Sequence, residues 1–429
     1  MRRLLFGSLA ALLLAASSAL SASSVEFTVA AGKQARHNEP VCVPLQLPAG
    51  TEVDAVVSVV DADGKTIAIG QVTGPGLRTE SIKAKSGMVR KDLHFVLPEL
   101  AAGKSLTLRA TVSGGKFGGA GTTFHWTHDK DDGWSDLGHG NRPVLRYIHA
   151  KLDESSKAAR ERTFKVFHHV YSPDGKQLLT NGPMPGESYG QGIQFPHHRG
   201  LFYGFMKCTY DKNTVDIWHC TKDTHQAHRK TEEEIGGPIL GRHRVVIDWN
   251  GVGKKPFAVE RREVTVYAVP DGTLIEFNSQ LTPTGSPVKL DGDPQHAGFH
   301  FRASNEVAAK TSKETIYIRP DGVDKPGATR NWDGKGNKTH VNLPWLGMSF
   351  VVDGQRYTAA YLDCPSNPKE ARFSERNYGR FGSYFVTTVK KEKPLLVEYR
   401  VWLQPGQMKP AEIAALDRAF VEPVKVTVK

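Results

Sequence analysis

Two short stretches of this sequence carry residue types suited to moving protons. In the first, His197, His198 and Arg199 lie between Pro196 and Gly200. Proline fixes its own φ angle and glycine permits a sharp bend, so the motif is predicted to be a loop that enters a strand. Imidazole is the natural acid and base near neutral pH, and guanidinium binds anionic groups. We therefore predict His197 and His198 as catalytic residues and Arg199 as a substrate-binding residue.

The second stretch, residues 295–303, alternates polar and apolar side chains. Read as a strand, it places His296, His300 and Arg302 on one face and the apolar residues on the other. Gly298 lies between the two histidines and leaves room for a ligand on the sheet. We predict that the two stretches are halves of one site, in which His296 and His300 are catalytic and Arg302 binds substrate.

The acidic residues favour some reactions over others. An ordinary glycosidase needs two carboxylates at a defined separation. The candidate acids form no obvious pair in the sequence: Asp216, Glu375, Asp291, Asp293 and Glu187. This pattern favours epimerase-like or lyase-like chemistry over hydrolysis.

Metal binding is an alternative interpretation of the histidines. His225 and His228 form a His-x2-His pair close to His219, and neutral imidazole suits zinc, copper or nickel. The same polar run also fits an exposed loop. His197 and His198 would share an ion with a third histidine only if the fold brought His296 or His300 near. No metal ligand is assigned at this stage, and the cofactor stays unknown.

The N-terminus indicates export. Residues 1–21 have two arginines, an apolar run and a small-x-small cleavage site, as in a secretory signal peptide. No later stretch is long enough to span a bilayer, so we expect a periplasmic or extracellular protein. The net charge of +11 favours anionic partners. Nucleic acid is not expected, because the basic residues are dispersed and no recognition motif is present.

The periodicity predicts an all-β protein. Short strands separated by turn signals over residues 24–113 are typical of a small immunoglobulin-like sandwich. Residues 114–141 are rich in glycine and aspartate and are predicted to be a linker. Residues 142–429 contain many antiparallel-looking strands and favour a large two-sheet β-supersandwich. A helix is expected at Lys409–Phe420, and Cys208 and Cys220 could face each other across a hairpin.

Four motifs in order carry a resemblance to a known family. They are residues 196–201, the Asp-x-Trp element at 215–218, the strand at 296–302, and the late block 365–379. Over residues 142–403 the chain resembles exported bacterial proteins that carry the methane oxygenase PmoA label. That family is similar in architecture to galactose-mutarotase-like supersandwiches, which implies a carbohydrate-related role. A membrane oxygenase subunit is not expected, because it needs spanning helices.

These motifs extend the candidate site. Asp216, Trp218, Arg376 and Tyr378 are predicted to bind substrate, although Trp218 fits an aromatic core equally well. The sequence thus predicts an exported carbohydrate-active enzyme that uses histidine acid/base chemistry. The alternatives are a non-catalytic glycan-binding protein and a His-ligated metal protein. The partner is a sugar or glycoside, with an anionic group as one possibility.

Overall fold

The computed structural model describes residues 23–49, 56–112, 122–129, 133–185, 187, 189, 192–333 and 340–429. The predicted signal peptide at residues 1–21 lies outside the described residues. Almost all regular structure is β-strand, so the all-β prediction is confirmed. No helix in the described part of the chain is both long and apolar enough to cross a bilayer.

The N-terminal strands form a seven-stranded antiparallel sheet. In spatial order its strands are β2 (Arg36–Pro48), β5 (Met88–Leu100), β4 (Thr66–Thr73), β3 (Val56–Asp61), β6 (Ser105–Val112), β1 (Ser23–Ala30) and β28 (Lys425–Val428). Alternate residues of these strands, such as Phe27, Val43 and Phe95, pack into one apolar core. All seven strands belong to one sheet, which the last strand of the chain joins, and the sheet folds over its own core: the Phe27 ring of β1 lies 6.0 Å from the Phe95 ring of β5. This arrangement agrees with the predicted small all-β sandwich.

An eight-stranded sheet is the first half of the larger body. Its strands in order are β24 (Arg372–Arg376), β25 (Arg380–Tyr384), β19 (Ala297–Arg302), β11 (Leu201–Phe205), β10 (Phe167–Val170), β9 (Arg142–Ile148), β8 (Trp134–His139) and β7 (Phe124–Asp129). Strands β7 and β8 lie inside the predicted linker at 114–141. The linker prediction was wrong for these residues. The alternation of large side chains at 124–128 indicates a strand in spite of the high glycine and aspartate content around it.

A nine-stranded sheet is the second half. Its strands in order are β14 (His225–Ile235), β15 (Leu240–Asn250), β16 (Pro256–Tyr267), β17 (Thr273–Pro283), β27 (Leu395–Pro405), β23 (Gln355–Asp363), β22 (Trp345–Val352), β20 (Ile316–Arg319) and β21 (Gly322–Val323). A four-stranded sheet completes the body, with β13 (Asn213–Val215), β12 (Lys207–Tyr210), β18 (Val288–Asp291) and β26 (Thr387–Val389) in order.

The two large sheets pack face to face, as the two-sheet prediction requires. Phe299 of the eight-stranded sheet stacks on Phe277 of the nine-stranded sheet, with ring centroids 4.2 Å apart, and on Tyr399 at 4.8 Å. Alternation in β11 sends Leu201 and Tyr203 into the same core. The sandwich therefore uses one face of each sheet and leaves the outer faces for other contacts.

Helices are few and short. Helix α1 (Lys157–Thr163) begins after Ser156, whose side chain accepts a hydrogen bond from the Ala159 N–H. Helix α2 (Pro410–Val421) matches the predicted C-terminal helix and buries Ile413 and Phe420. Single turns of 3₁₀-helix lie at Val252–Lys254 and Ser312–Glu314, and a π-helical turn lies at Val307–Thr311.

The cysteines are free. A hairpin forms between β12 and β13 as expected, but the residue opposite Cys208 is Val215. Cys220 lies beyond the hairpin, and its thiol donates to the Ile217 carbonyl at 3.2 Å. Cys208 and Cys220, which could have faced each other across this hairpin, are therefore not bridged, and both thiols are buried.

Candidate active site

The candidate site lies on the outer face of the eight-stranded sheet. Phe202 of β11 and His300 of β19 are opposite each other in register and point away from the sandwich core. Trp218 covers both, with its ring 4.5 Å from Phe202 and 4.9 Å from His300. Trp218 is fully buried, so it is part of a small satellite core and presents no face to a sugar.

The loop that carries the paired histidines is tightly fixed. At Gly200 φ is +38°, and a Cβ there would lie 2.0 Å from the His168 carbonyl oxygen, so only glycine fits. Arg199 is fully buried over the Phe164 ring at 4.2 Å. Its guanidinium donates to the carbonyls of Pro196, at 3.1 Å, and Glu161. Arg199 thus holds the loop and is not available to a substrate.

Three histidines from separate loops converge beside this face. The His197 ring lies 4.6 Å from that of His219 and 5.9 Å from that of His296, and His219 and His296 are 4.7 Å apart. His198 adjoins them, with its ring 4.2 Å from His197 and 5.9 Å from His296. The two sequence stretches do meet at one place. We refer to His197, His219 and His296 as the open histidine cluster.

Two members of the open histidine cluster are oriented by carboxylates. His219 donates from Nδ1 to Asp216 at 2.7 Å, and Asp216 also accepts the main-chain N–H groups of Trp218 and His219 at 2.9 and 2.8 Å. His296 donates from Nδ1 to Asp293 at 2.9 Å. A carboxylate on Nδ1 fixes the tautomer and leaves Nε2 as the free nitrogen. Asp216 is therefore a positioning residue in this structure rather than a substrate ligand.

Lys165 ties two parts of the site together. Its buried ammonium donates to the His197 carbonyl at 3.0 Å and to the Trp218 carbonyl. Burial lowers the pKa of Lys165 to about 8. Burial, with Lys165 and the neighbouring histidines adding to it, lowers the pKa of His197 to about 2. His197 is consequently a neutral imidazole at any ordinary pH.

His300 and Arg302 are in the predicted region but are engaged by the protein. His300 donates from Nε2 to the Ala297 carbonyl at 2.8 Å and accepts at Nδ1 from Arg380 at 2.9 Å. Burial holds its pKa well below the usual range. Arg302 is fully buried and donates to the carbonyls of Gln194, at 3.2 Å, and Tyr378. Both side chains are completely buried, so neither can reach a substrate, although Nε of Arg302 has no hydrogen-bond partner in the described structure.

The remaining candidates form the rim of the site. Tyr378 stacks on Phe195 with centroids 4.6 Å apart, and its hydroxyl lies 3.5 Å from Nδ1 of His198. Phe195 is 43% exposed and has a positive φ of 54°. Non-glycine residues in this region are uncommon outside constrained or functional positions. Arg376 is half-buried and donates to the side chain of Asn331 at 2.5 Å.

Sequence reasoning missed Lys165 entirely, and it missed two roles: Asp293 as the acid that orients His296, and His219 as a partner of His197. One signal was present, because the spacing Asp-x-x-His occurs at both Asp216–His219 and Asp293–His296. In a turn this spacing lets the acid bond the ring three residues later. The predicted metal pair is not assembled, since His225 bonds the Asp223 carbonyl at 3.0 Å and His228 contacts the Tyr147 hydroxyl at 3.2 Å.

A second group of ligand-type side chains lies far from this face. Cys42, Asp92 and His94 line a cavity of about 290 Å³ between the N-terminal sheet and the nine-stranded sheet. Asp92 already accepts from Arg90 at 3.2 Å and from Thr79 at 2.5 Å. Burial raises the pKa of the Cys42 thiol well above its usual range, so it stays protonated. These features suit a structural polar contact between the two bodies.

Comparison with known families identifies a relationship over most of this body. Residues 135–417 match the model of a family of unknown function, DUF6807. The chain belongs to this family. The match does not show the methane oxygenase PmoA label. No curated protein matches the chain.

Two solved structures are similar in outline. One is a protein in the glycosyl hydrolase family 38 from Enterococcus faecalis, at 10% identity and a TM-score of 0.41, covering 95% of this chain and 47% of that one. The other is an alpha-mannosidase from Enterococcus faecalis V583, at 9% identity and a TM-score of 0.40, covering 95% and 46%. The chain thus spans about half the length of these structures.

Proposed function

We propose that this protein is an exported enzyme that acts on a sugar or glycoside by proton transfer at the open histidine cluster. One observation carries the proposal. Two imidazoles, His219 and His296, lie 4.7 Å apart and are each backed by a carboxylate on Nδ1. An oriented imidazole with an accessible second nitrogen is the arrangement found where histidine accepts or delivers a proton.

Solvent can reach this centre. The side chains of His219 and His296 are 27% and 23% exposed. By contrast, His198 and His300 are buried, so we assign proton transfer to the open histidine cluster, which includes His197, and His300 supports the structure. His198 borders the centre, and its Nε2 has no hydrogen-bond partner in the described structure.

The carboxylates favour lyase or epimerase chemistry. Asp216 and Asp293 are each hydrogen-bonded to a histidine, and Glu375 pairs with Arg319 at 2.7 Å inside the protein. Among the described residues of the site, no free pair remains for the usual two-carboxylate hydrolysis. Removal of a proton next to a carbonyl needs only a positioned base and a group that stabilises the resulting negative charge.

Three features support a carbohydrate as the substrate. Phe195, which is exposed, stacks on the half-buried Tyr378 beside His198, and an aromatic face offers apolar contact together with a polar tip. Arg376 is the half-buried cation at the same rim and can meet an anionic group. The sequence resemblance to galactose-mutarotase-like proteins supports the same substrate class, and the signal-like N-terminus supports export.

A panel of glycosides, uronic-acid-containing glycans and keto-sugars incubated with wild-type protein tests the proposal. Products are detected by mass spectrometry and NMR. We expect turnover of at least one compound and a loss of about 10²- to 10⁴-fold in Asp293→Asn, which disorients His296. Asp291→Asn is the matched control, because this acid lies two residues away and pairs with Lys289 at 3.1 Å.

Two outcomes contradict the proposal. If the wild type binds glycans but converts none, the protein is a glycan-binding module that uses the Phe195–Tyr378 pair. If Asp291→Asn and Asp293→Asn lose equal activity, orientation of His296 has no role in the reaction.

A further inference from the structure

The open histidine cluster has the donor set of a metal centre. His197, His219 and His296 each offer a ring nitrogen, and the three nitrogens lie within 4.8 Å of one another. Tetrahedral coordination at the usual zinc–nitrogen distance separates ligand nitrogens by roughly 3.4 Å. The rings need to close by about an ångström to reach one ion, which is within the range of side-chain rotation.

The hydrogen bonds select which nitrogen each ring offers. Asp216 and Asp293 occupy Nδ1 of His219 and His296, so Nε2 is left in both rings. Ligating histidines in metalloproteins commonly donate their other N–H to a carboxylate in this way, which orients the ring and raises its basicity. Two independent Asp-x-x-His turns therefore leave the same atom, Nε2, without a carboxylate partner in two rings whose centroids lie 4.7 Å apart.

The third ring is unsatisfied without an ion. Nε2 of His197 is buried and has no hydrogen-bond partner in the described structure. Buried polar atoms are normally paired, and an orphaned nitrogen beside two presented nitrogens indicates a missing partner.

We infer that His197, His219 and His296 bind a divalent first-row transition ion of the zinc class, with at least one coordination position open. This inference deepens the proposed function, because it names a cofactor for the same centre. Three protein ligands with an open position is the pattern of catalytic rather than structural zinc.

The local charges are compatible with a dication. Lys165 is a cation bonded to the main chain of His197, and its ammonium is directed to the carbonyls of His197 and Trp218. Asp216 and Asp293 contact two of the three ligand rings directly and supply two negative charges. Because Coulomb energy falls with distance and rises in a dry site, these two carboxylates offset much of the charge of the ion.

The ion would account for the proton transfer in the proposed function. Water on such an ion has its pKa lowered to about 7. It loses a proton to solvent, and the remaining hydroxide takes a proton from the substrate and becomes water again. The open position also allows a substrate oxygen to be polarised as negative charge develops on it.

Metal analysis of the intact protein tests the inference without a substrate. Protein purified without chelator is examined by inductively coupled plasma mass spectrometry, then stripped and titrated with Zn²⁺ and with Co²⁺. We expect about one ion per chain and a tetrahedral Co²⁺ spectrum without a thiolate charge-transfer band. His219→Ala and His296→Ala are expected to lose the ion, and Asp293→Asn to weaken Zn²⁺ binding about 10- to 100-fold.

Control variants separate this site from the other candidate group. His94→Ala alters the Cys42, Asp92 and His94 group, and Asp291→Asn keeps the open histidine cluster intact. Both are expected to bind Zn²⁺ as the wild type does. Circular dichroism of each variant checks that it is folded, and Asp293→Asn remains informative if a histidine variant is not.

Several results overturn the inference. One is that folded wild type binds neither Zn²⁺ nor Co²⁺. Another is that His94→Ala loses the ion while His296→Ala keeps it. A third is that Asp293→Asn and Asp291→Asn bind Zn²⁺ with equal affinity. Turnover by a metal-free wild type contradicts the ion but leaves the proposed function intact. An ion-loaded wild type that converts no sugar contradicts the proposed function but leaves the metal site.

Discussion

The molecule contains two groups of histidines that differ in what holds them. In the open histidine cluster, carboxylates bond the rings of His219 and His296, and solvent reaches both. In the second group, His168 and His243 bond each other through their Nε2 atoms at 2.8 Å, and both are fully buried. We call His168 and His243 with Tyr147 the interior histidine group.

The interior histidine group joins the two large sheets. His168 belongs to β10 and His243 to β15, so their hydrogen bond crosses the sandwich. Tyr147 stacks on His168 at 4.9 Å and has its edge toward His243 at 5.0 Å. Burial lowers the pKa of His243 to about 3. The comparison shows that partner and exposure, rather than residue type, separate histidines fit for chemistry from histidines that support the core.

One glycine couples the two regions, and its replacement is expected to have the largest effect. Gly200 follows the paired histidines, and a Cβ there would lie 2.0 Å from the carbonyl oxygen of His168. Gly200→Ala combines this clash with a left-handed backbone, so we expect a loss of about 4 kcal/mol in the free energy of unfolding. Urea denaturation followed by fluorescence measures it.

Gly192→Ala is the matched control for this substitution. Gly192 also has a positive φ, +72°, but nothing lies within 4 Å of its added Cβ. Only the backbone strain of about 1 kcal/mol is expected there. Equal losses in the two variants would show that Gly200 makes no close contact with His168.

The next largest effect compares the two histidine groups directly. His243→Ala leaves a cavity and removes the partner of His168, so we expect a loss of about 3 kcal/mol in unfolding free energy. His219→Ala removes a ring that is 27% exposed, and its expected loss is below about 1 kcal/mol. Urea midpoints of the two metal-free variants test this ranking. The reverse order would show that the open histidine cluster is the structural one.

The smallest effect is expected at Asp417, a carboxylate that, unlike Asp216 and Asp293, has no imidazole partner among the described residues. Burial raises the pKa of Asp417 in α2 to about 6, above the unfolded value of about 3.8. The folded protein therefore binds the extra proton, and stability falls as pH rises from about 4 to 6. Asp417→Asn is expected to stabilise the protein by about 1 kcal/mol at pH 7.5 and to have little effect at pH 4.

Thermal melts of wild type and Asp417→Asn across this pH range measure the effect. Asp153→Asn is the control, because the Asp153 carboxylate is held by the Ser155 N–H at 2.8 Å. An equal gain at pH 4 and pH 7.5 would assign the change to packing instead of proton binding.

Periodicity predicted the parts of the site that depend on strands. The alternation in residues 297–303 placed Phe299 and Phe301 in the core and His300 on the other face, as the structure has them. The meeting of His197 with His296 follows from the pairing of β11 with β19, in which Tyr203 is opposite Phe299. Because β11 and β19 each adjoin one of the two site motifs, the sequence suggests that these strands pair. It contains no direct signal for which residues are opposite each other.

Turn chemistry and burial were not predictable in the same way. Asp293 orients His296 through a turn, where neither strand nor helix period applies. The repeated Asp-x-x-His spacing is the one sequence signal for this role, and the hydrogen bond in the structure establishes it. Arg199 and Arg302 were expected to bind a substrate because guanidinium binds anionic groups. Both instead donate hydrogen bonds to main-chain carbonyls inside the protein. The sequence alone does not show which buried carbonyls require a side-chain donor.

Because β28 pairs with β1, the N-terminal sheet can finish folding only after residues 425–428 have been synthesised. Phe27 is opposite Val428, so the N-terminal sheet has an unpaired edge until the last residues of the chain have been synthesised. An exposed strand edge of this kind invites pairing with other chains. Nascent chains halted before residue 425 are expected to aggregate through β1, and hydrogen exchange of β1 in a chain truncated at residue 424 would reveal the unprotected edge.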